Sequence, residues 1–583
     1  MTFIELEWQM VCILILSRLL VRKMKKKIWN QVEVEDENLE EFMVLARMGP
    51  NRTAPPVDIG LRESDLNFNW SEEAKNYTNF MSLNELENFI KVKKAEAKGS
   101  SINDSLCNPD AYSLSEDQEA VVDQLHEQLQ CIVLDVTRTE IPYITIVQGK
   151  AGTGKSHLIN CLRWKAHEVL QCQESVMVLG PTGVSALNIR GQTIHSALHL
   201  PTQSKDFQDL SGDALKKFST SMKKVKVLII DEYSMVGCRM LRQIDLRCRQ
   251  GKGVNEPFGK LYVYMLGDIR QLPPVCDTAL YKTPKEPGLA EQGKALIASV
   301  DKVFFLRQCF RQQDPSFQGI LDRISTGDIT RQDYAVLSKR FTCNVSEHER
   351  SQFKDAVRLF GMKKQVVAYN YESLKNLKCD GTGDSAPVAK VIGKHNNTEA
   401  VKGTSDQAQG LQHTVYLGKS SQVMLTNNLW TDKGLVNGAQ GEIVHIVYED
   451  GEEPPLGMPK VVMCKFNNYS GPGVGAKNVV PIPAITKSWT SSGIQCTRTQ
   501  FPLNLYYACS VHKSQGITEK KAYVDIGDSE FVLGISYVAF SRVKTLDGLL
   551  IKPFPYERLS DLKNSKSMKE RFEFEAFLEK LSH

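Results

Sequence analysis

Gly149 to Ser156 read GKAGTGKS, matching the phosphate-loop pattern G-x-x-x-x-G-K-[ST] at every fixed position. The backbone of Gly149, Lys150, Ala151, Gly152, Thr153 and Gly154 would present successive N–H groups to phosphate oxygens. Lys155 would reach the β- and γ-phosphates, and Ser156 would ligate Mg²⁺. The flanks are those such a loop needs. YITIVQ (Tyr143 to Gln148) predicts a buried strand, and His157 to Leu170 carries apolar residues at helical spacing. Glycine loops also arise by chance, and this one by itself promises only a bound nucleoside triphosphate.

Two further strand ends add chemistry. In VKVLIIDEYSMV (Val225 to Val236) an apolar run ends in adjacent carboxylates. Asp231 suits Mg²⁺, held directly or through water, and Glu232 suits orienting and deprotonating an attacking water. An acidic strand-end turn is the simpler alternative, but the position downstream of a phosphate loop argues for the metal and base. In LYVYMLGDIRQLPPV (Leu261 to Val275), Gln271 precedes the rigid Pro273-Pro274 pair and is suited to sense a γ-phosphate. Asp268 would support Mg²⁺ or a neighbouring arginine. Arg311 in QCFRQ and Arg542 in YVAFSRVK come from a later region. Each alone reads as a surface residue. As a set they suit transition-state charge stabilisation by arginines from a second domain, which would make hydrolysis depend on closure. On this reading Lys155 holds the triphosphate even in an open state, and hydrolysis waits for Arg311 and Arg542 to arrive.

Two segments suit contact with a nucleic-acid backbone without base readout. They are PTGVSALNIRGQTIHSALHLP (Pro181 to Pro201) and SVHKSQG (Ser510 to Gly516), dense in small, hydroxyl, His and Lys residues. No metal partner accompanies His195 or His512 in the sequence.

The elements that must position these groups follow from composition and pattern. At 583 residues the chain predicts about three or four domains. Its net charge of +4 excludes a uniformly basic protein, so any nucleic-acid footprint must be a local groove. The 14 cysteines show no C-x-x-C pair and no zinc spacing, and read as reduced core residues of an intracellular protein. Alternating strands and helices from Leu114 to about Val300 predict an α/β lobe with a parallel sheet over 111–300, and Ser115 with Gln118 predicts a capping box opening a helix. A second α/β lobe is expected over 301–420 and 500–555, with Asp380 to Gly410 as a flexible excursion. Short β-rich runs over 421–499 predict an inserted small barrel or sheet. Residues 556–583 predict a charged helical tail.

Residues 1–110 carry no chemical motif and read as an N-terminal extension of unknown function. They include an acidic run (Glu33 to Glu41), a proline-containing linker (Asn51 to Asp58) and a Lys/Ala/Glu-rich helical segment ending near Gly99. Met10 to Leu16 is apolar but far shorter than the about 20 residues that span a bilayer. It reads as a buried or amphipathic helix, with a membrane anchor as the minor alternative. The following Arg22 to Lys27 is a solvated face or a nuclear-localisation patch.

The ordered set SEDQ, GKAGTGKS, PTGVSALNIRGQTIHSAL, IIDEYSM, GDIRQLPPV, FRQ, VHKSQG and YVAFSR resembles superfamily 1B helicases of the Pif (petite integration frequency) group, related to RecD. Asp245 to Gly259 looks like the stretch that marks this group, and LVNGAQG (Leu435 to Gly441) looks like the entry to its inserted β-barrel. The resemblance covers about Leu114 to Lys552. It implies two RecA-like lobes with an SH3-like insert, Gln118 reading adenine, and Thr182, His195, His512 and Lys513 contacting single-stranded DNA. It also implies ATP and Mg²⁺ as cofactors and 5′→3′ translocation with duplex unwinding, in DNA repair, recombination, replication or telomere maintenance. Departures are Ala197 after TIHS, where an aromatic is frequent, and Ile269 in GDI, where Phe is frequent. TIHSALHLP and the upstream ARMGPN…GLRESDLNFNW resemble the helicase part of Helitron-type transposons, which implies transposon replication as the setting.

The expected partners are single-stranded DNA and forks, with no membrane, bound as a monomer or a weak dimer on DNA. Nuclear or mitochondrial residence follows only from that substrate. A non-catalytic DNA-binding remnant of a mobile element is the alternative, opposed by the completeness of Lys155, Asp231, Glu232, Gln271, Arg311 and Arg542. A P-loop phosphotransferase is the third reading, disfavoured by the two C-terminal motifs.

Overall fold

The computed structural model describes residues 62–78, 81–97, 114–136, 143–200, 206–285, 287–312, 314–379, 383–405, 407–476, 478–491 and 493–582. Met10 to Leu16, the basic cluster, the acidic run, the linker, ARMGPN and Ser100 to Asp110 lie outside them.

The phosphate loop sits at the end of the first strand of a parallel sheet. β1 (Ile144–Gly149), β2 (Val176–Gly180), β3 (Gln192–Thr193), β4 (Val227–Ile230), β5 (Tyr262–Gly267) and β6 (Lys302–Leu306) pair in the order β3-β2-β4-β5-β1-β6. Successive side chains of a strand face opposite ways, and both faces here are apolar. Ile144, Ile146, Leu228, Ile230, Val263 and Met265 enter one core. Val147, Val227, Ile229, Tyr264 and Leu266 enter the other. Helices Glu116–Leu134 and Lys155–Leu170 cover the second face through Leu125, Leu129, Leu158 and Leu162. Helix Cys238–Lys252 covers the first through Leu241, Ile244 and Cys248. The capping box of Ser115 and Gln118 opens the helix Glu116–Leu134. Because β4, β5 and β1 are neighbours, the loops leaving their C-terminal ends collect at one edge. Parallel α/β sheets bind ligands at that edge.

The sheet extends past the boundary expected at 300. β6 pairs with β1 from Thr145↔Lys302 to Gly149↔Leu306, so the second region begins only after Leu306. The apolar run at Val303 gave no sign of which sheet it joins, because pairing is set by tertiary contact.

β7 (Val357–Phe360) opens a second sheet, followed by helix Lys363–Lys375. The chain then leaves for an antiparallel region of β8 (Val388–Ile392), β9 (Lys394–His395), β10 (Thr414–Gly418), β11 (Gln422–Leu425), β12 (Gln440–Val447), β13 (Val461–Phe466), β14 (Val479–Ile482), β15 (Ile485–Ser491), β16 (Ile494–Gln500) and β17 (Leu503–Leu505). It returns as β18 (Ala508–Ser510), β19 (Ala522–Asp525) and β20 (Leu549–Ile551), which join β7 in a parallel sheet of order β18-β7-β19-β20. In the antiparallel region the largest sheet has the order β14-β13-β12-β11-β17, beside β15-β16-β9 and β10-β8.

The insert therefore reaches beyond 421–499 on both sides. β17 pairs with β11, and β9 pairs with β16. Part of the expected flexible excursion is ordered as β8 and helix Thr398–Lys402, since Ala389 and Val391 enter the insert's core despite the Gly/Ser/Asn-rich surroundings.

The segment 62–97 is also part of this body. Its helix Leu83–Ala97 forms as the composition predicts. Trp70, Tyr77, Leu86, Phe89 and Ile90 are buried with Ile443, Val447, Tyr448 and Val462 of the insert. The Tyr77 hydroxyl meets His445 Nδ1 at 2.9 Å, and His445 lies 3.3 Å from Glu73. An extension of its own is thus the wrong description for these residues; their apolar face is completed by the insert sheet.

The C-terminal helix Lys566–Lys580 is likewise more than a charged tail. Phe574 and Leu578 enter the core of the first sheet, while Met568 enters that of the second. Arg270 and Glu575 form a two-bonded pair at 2.9 Å, and buried Arg571 donates to the carbonyls of Arg270 and Ser325.

Among the described residues no helix is long and apolar enough to cross a membrane.

Candidate active site

A cleft of about 480 Å³ lies where the edge of the first sheet meets the second body. Ala151, Gly152, Gly154, Lys155 and Ser156 form one wall, and Asp231, Glu232 and Gln271 line it from β4 and β5. Arg311 and Arg542 line it from the segment after β6 and from the turn after helix Ile535–Phe540. Residues scattered over some 390 positions of sequence thus share one space.

The loop backbone follows from its glycines. Gly152 has φ +89°, and a Cβ there would meet the Arg311 Cβ at 2.5 Å, so only glycine admits the close approach. Phe310 N donates to Gly152 O at 2.8 Å and fixes that approach. Lys155 Nζ donates to the Gly149 and Lys150 carbonyls at 2.7 and 2.9 Å, curling over its own loop. Gln118 is buried and its Nε2 donates to Thr153 O at 3.2 Å, beside Gly154. Thr153 Oγ1 donates to Lys150 O at 3.0 Å. The Lys150 side chain leaves the loop and pairs with Asp322 at 2.8 Å, so only its backbone remains for phosphate.

The carboxylates are desolvated. Burial, and next the Glu232 charge, push the Asp231 carboxyl above its usual range, opposed by Lys155. Glu232 has φ +49° and ψ +48°, a left-handed conformation that costs a non-glycine residue of order 1 kcal/mol or more. Glu232 Oε2 and Gln271 Oε1 are buried without a hydrogen-bond partner. Such orphans are rare and cluster where a ligand or water completes them. Ser156 hydroxyl and Asp231 carboxylate together are the hard oxygen donors a Mg²⁺ ion takes.

Both arginines are charged donors held by carbonyls. Arg542 Nε donates to Val538 O at 2.8 Å, Nη1 to Ser514 O and Ile517 O at 3.2 Å, and Nη2 to Ser541 Oγ at 2.9 Å. Burial first, then Arg311, pull its pKa down to about 10. Arg311 Nη1 donates to Ser541 O at 3.3 Å, and burial lowers its pKa too. Neither makes an ion pair among those described; anionic charge in the cleft would relieve both.

Of the two roles expected of Asp268, the neighbouring arginine is the one it meets. It accepts from Arg270 N, Gln148 Nε2, Gln271 Nε2 and the Tyr537 hydroxyl, and it does not line the cleft. It therefore supports neighbours rather than a metal.

Thr182, His195, His512 and Lys513 lie outside the cleft lining. Their two segments nevertheless meet: Asn188 Nδ2 donates to Gly516 O at 3.0 Å, and Gly183 abuts Asn437 of the LVNGAQG stretch. Thr182 is knitted to Ser185 by a hydroxyl contact of 3.1 Å. Burial lowers the His195 pKa, so near neutrality it offers a neutral ring. Among the described residues no cluster of His, Cys, Asp and Glu could hold a metal ion by itself.

Sequence reasoning did not single out Ser185, Asn188, Phe310, Thr518 and Lys544, which also line the cleft. Ser185, Asn188, Phe310 and Lys544 lie within the quoted motif stretches and Thr518 two residues past SVHKSQG, which was their only signal.

Residues 113–333 match the model of the PIF1-like helicase family. The ATP-dependent DNA helicase PIF1 of Danio rerio is 29% identical over 414 residues, 70% of this chain and 58% of the relative. The human ATP-dependent DNA helicase PIF1 is 28% identical over 74% of this chain and 61% of its own length. The ATP-dependent DNA helicase RRM3 of Saccharomyces cerevisiae is 25% identical over 92% of this chain and 79% of its own. The chain thus spans about three fifths of the two PIF1 relatives' length. Pif1 helicase from Candida albicans has the same fold, with TM-score 0.59, 24% identity and coverage of 80% of this chain and 99% of that one. A Bacteroides Pif1 bound to ssDNA gives TM-score 0.56 at 22% identity, covering 80% and 98%. The two parallel sheets accordingly form a two-lobe RecA-like α/β fold.

Proposed function

We propose that the chain is an ATP- and Mg²⁺-dependent DNA helicase that moves 5′→3′ on single-stranded DNA and separates duplex. The observation that carries this is one cleft lined by Lys155, Asp231, Glu232 and Gln271 of the first lobe and by Arg311 and Arg542 from beyond it. A site built from two bodies hydrolyses only when both are in place, which is how turnover is tied to motion.

In this reading Gln118 holds the adenine, and the Gly149–Gly154 backbone and Lys155 hold the phosphates. Ser156 and Asp231 hold Mg²⁺, which supplies charge neutralisation of the phosphates. Glu232 takes the proton of the attacking water, Gln271 senses the γ-phosphate, and the two arginines stabilise the transferring group. Thr182, His195, His512 and Lys513 contact the strand; His195, being neutral, does so by hydrogen bonding. Their segments meet at the cleft through Asn188 and Gly516, so strand contact and nucleotide site are carried by the same two segments. The chain acts on single strands and forks as a monomer or a weak dimer, in DNA repair, recombination or replication, in the nucleus or mitochondrion. The inserted sheet is a small SH3-like module.

The test is ATP turnover by the full chain with and without single-stranded DNA. Stimulation by the DNA is expected. A well-folded chain that hydrolyses no ATP in the presence of DNA would favour the non-catalytic remnant instead.

A further inference from the structure

Tyr537 stands in the helix Ile535–Phe540, five positions before Arg542, and its ring is buried. Its hydroxyl makes two contacts, both with the first lobe. It donates to Asp268 Oδ2 at 2.9 Å and accepts from Ala151 N of the phosphate loop at 3.4 Å. Asp268 Oδ2 is at the same time the acceptor for Gln271 Nε2, at a long 3.4 Å. Gln271 Oε1 stays buried and unpaired at the cleft. The helix that carries Tyr537 also fixes the arginine, since Arg542 Nε donates to Val538 O.

We infer that Tyr537 is a positioning residue that makes the orientation of Gln271 depend on the placement of the second lobe, acting through the shared oxygen of Asp268. With the helix docked, the Tyr537 hydroxyl occupies Asp268 Oδ2 and leaves Gln271 only a weak hold there, so that the amide is free to meet the γ-phosphate. With the helix withdrawn, Asp268 loses its short donor and draws the Gln271 amide onto itself, away from the cleft. The same movement carries Arg542 out. Sensor and arginine are thereby set together by one rigid helix, and neither acts without the other. The contact of the hydroxyl with Ala151 N extends this to the loop wall itself. The inference rests on the reading of the cleft as an ATPase site.

The experiment uses the full chain with Tyr537→Phe, Gln271→Ala and the double variant, with ATP and single-stranded DNA. Tyr537→Phe removes one oxygen and keeps the ring in the core. The expected result is a fall of about tenfold or more in DNA-stimulated kcat, with KM for ATP within about twofold and an unchanged melting temperature. The double variant should be no slower than Gln271→Ala, because both act through one group. Asp268→Asn weakens the acceptor that would draw Gln271 away, so adding it to Tyr537→Phe should restore part of the lost kcat; a folding effect at Tyr537 would not be relieved in this way. An unchanged kcat in Tyr537→Phe, or losses that multiply in the double variant, would overturn the coupling while leaving the ATPase reading intact. A wild-type chain without ATPase activity would overturn both.

Discussion

Arg311 and Arg542 meet at one residue, Ser541. Arg311 Nη1 donates to its carbonyl at 3.3 Å and Arg542 Nη2 to its hydroxyl at 2.9 Å. Two like charges are thereby held side by side in a buried cleft; burial acts against both and Arg311 acts against Arg542, offset in part by Glu232. The arrangement is costly unless a strongly anionic group lies between them, and a nucleoside triphosphate is such a group.

Arg542→Lys should therefore fail despite keeping the charge. The loss of the planar fork is expected to lower kcat by about 10³-fold, within the range for arginine fingers, and to change nucleotide affinity little. The burial that pulls Arg542 down to about 10 acts on the lysine as well. Lysine starts from about 10.4 rather than above 12, so residual activity should decline as pH rises through the mildly alkaline range, where wild-type Arg542 keeps its proton. A pH–rate profile of the two proteins checks the sign.

Glu232→Gln removes the base and leaves the shape. Turnover should fall by about 10²–10⁴-fold, and Lys155→Ala should abolish it, with single-strand affinity within about threefold in both. Fluorescence anisotropy with a labelled oligonucleotide measures the binding. Equal turnover in Glu232→Gln would remove its assignment as base. EDTA should stop hydrolysis, and added Mg²⁺ should restore it.

The C-terminal helix closes the first core, so its apolar residues should matter to stability. Leu578 is fully buried, and Leu578→Ala should cost about 2–5 kcal/mol in urea denaturation. A cost below about 0.5 kcal/mol, typical of surface changes, would show that the helix is a dispensable tail.

Leu86→Ala makes the matching test at the other end of the chain. Leu86 is buried against the insert. Its loss should raise proteolytic cutting within 386–505 and leave cutting of the first lobe unchanged. Uniform sensitivity across the chain would contradict the shared core.

The site was legible where chemistry is contiguous in sequence. Lys155, Asp231, Glu232 and Gln271 each follow an apolar strand, and the parallel order of β4, β5 and β1 brings those strand ends together. What escaped are contacts made between elements. Tyr537 looks like one more apolar position of its helix until its hydroxyl is seen on Asp268. Asp268 read as a support for Mg²⁺ or a neighbouring arginine, because the sequence shows its neighbours but not the tyrosine. The tail over 556–583 read as helical and charged, so the burial of Phe574 and Leu578 in the first core went unseen, and Trp70 and Phe89 likewise gave no hint of the insert sheet. A periodic pattern fixes that a face is buried, not against what.

Strand displacement on a partial duplex carrying either a 5′ or a 3′ single-stranded tail tests the central claim most directly. The account predicts ATP-dependent unwinding of the 5′-tailed substrate, none of the 3′-tailed one, and loss of both unwinding and DNA-stimulated hydrolysis in Arg542→Ala. Unwinding that persists in Arg542→Ala, or a folded wild-type chain that separates neither substrate, would contradict it.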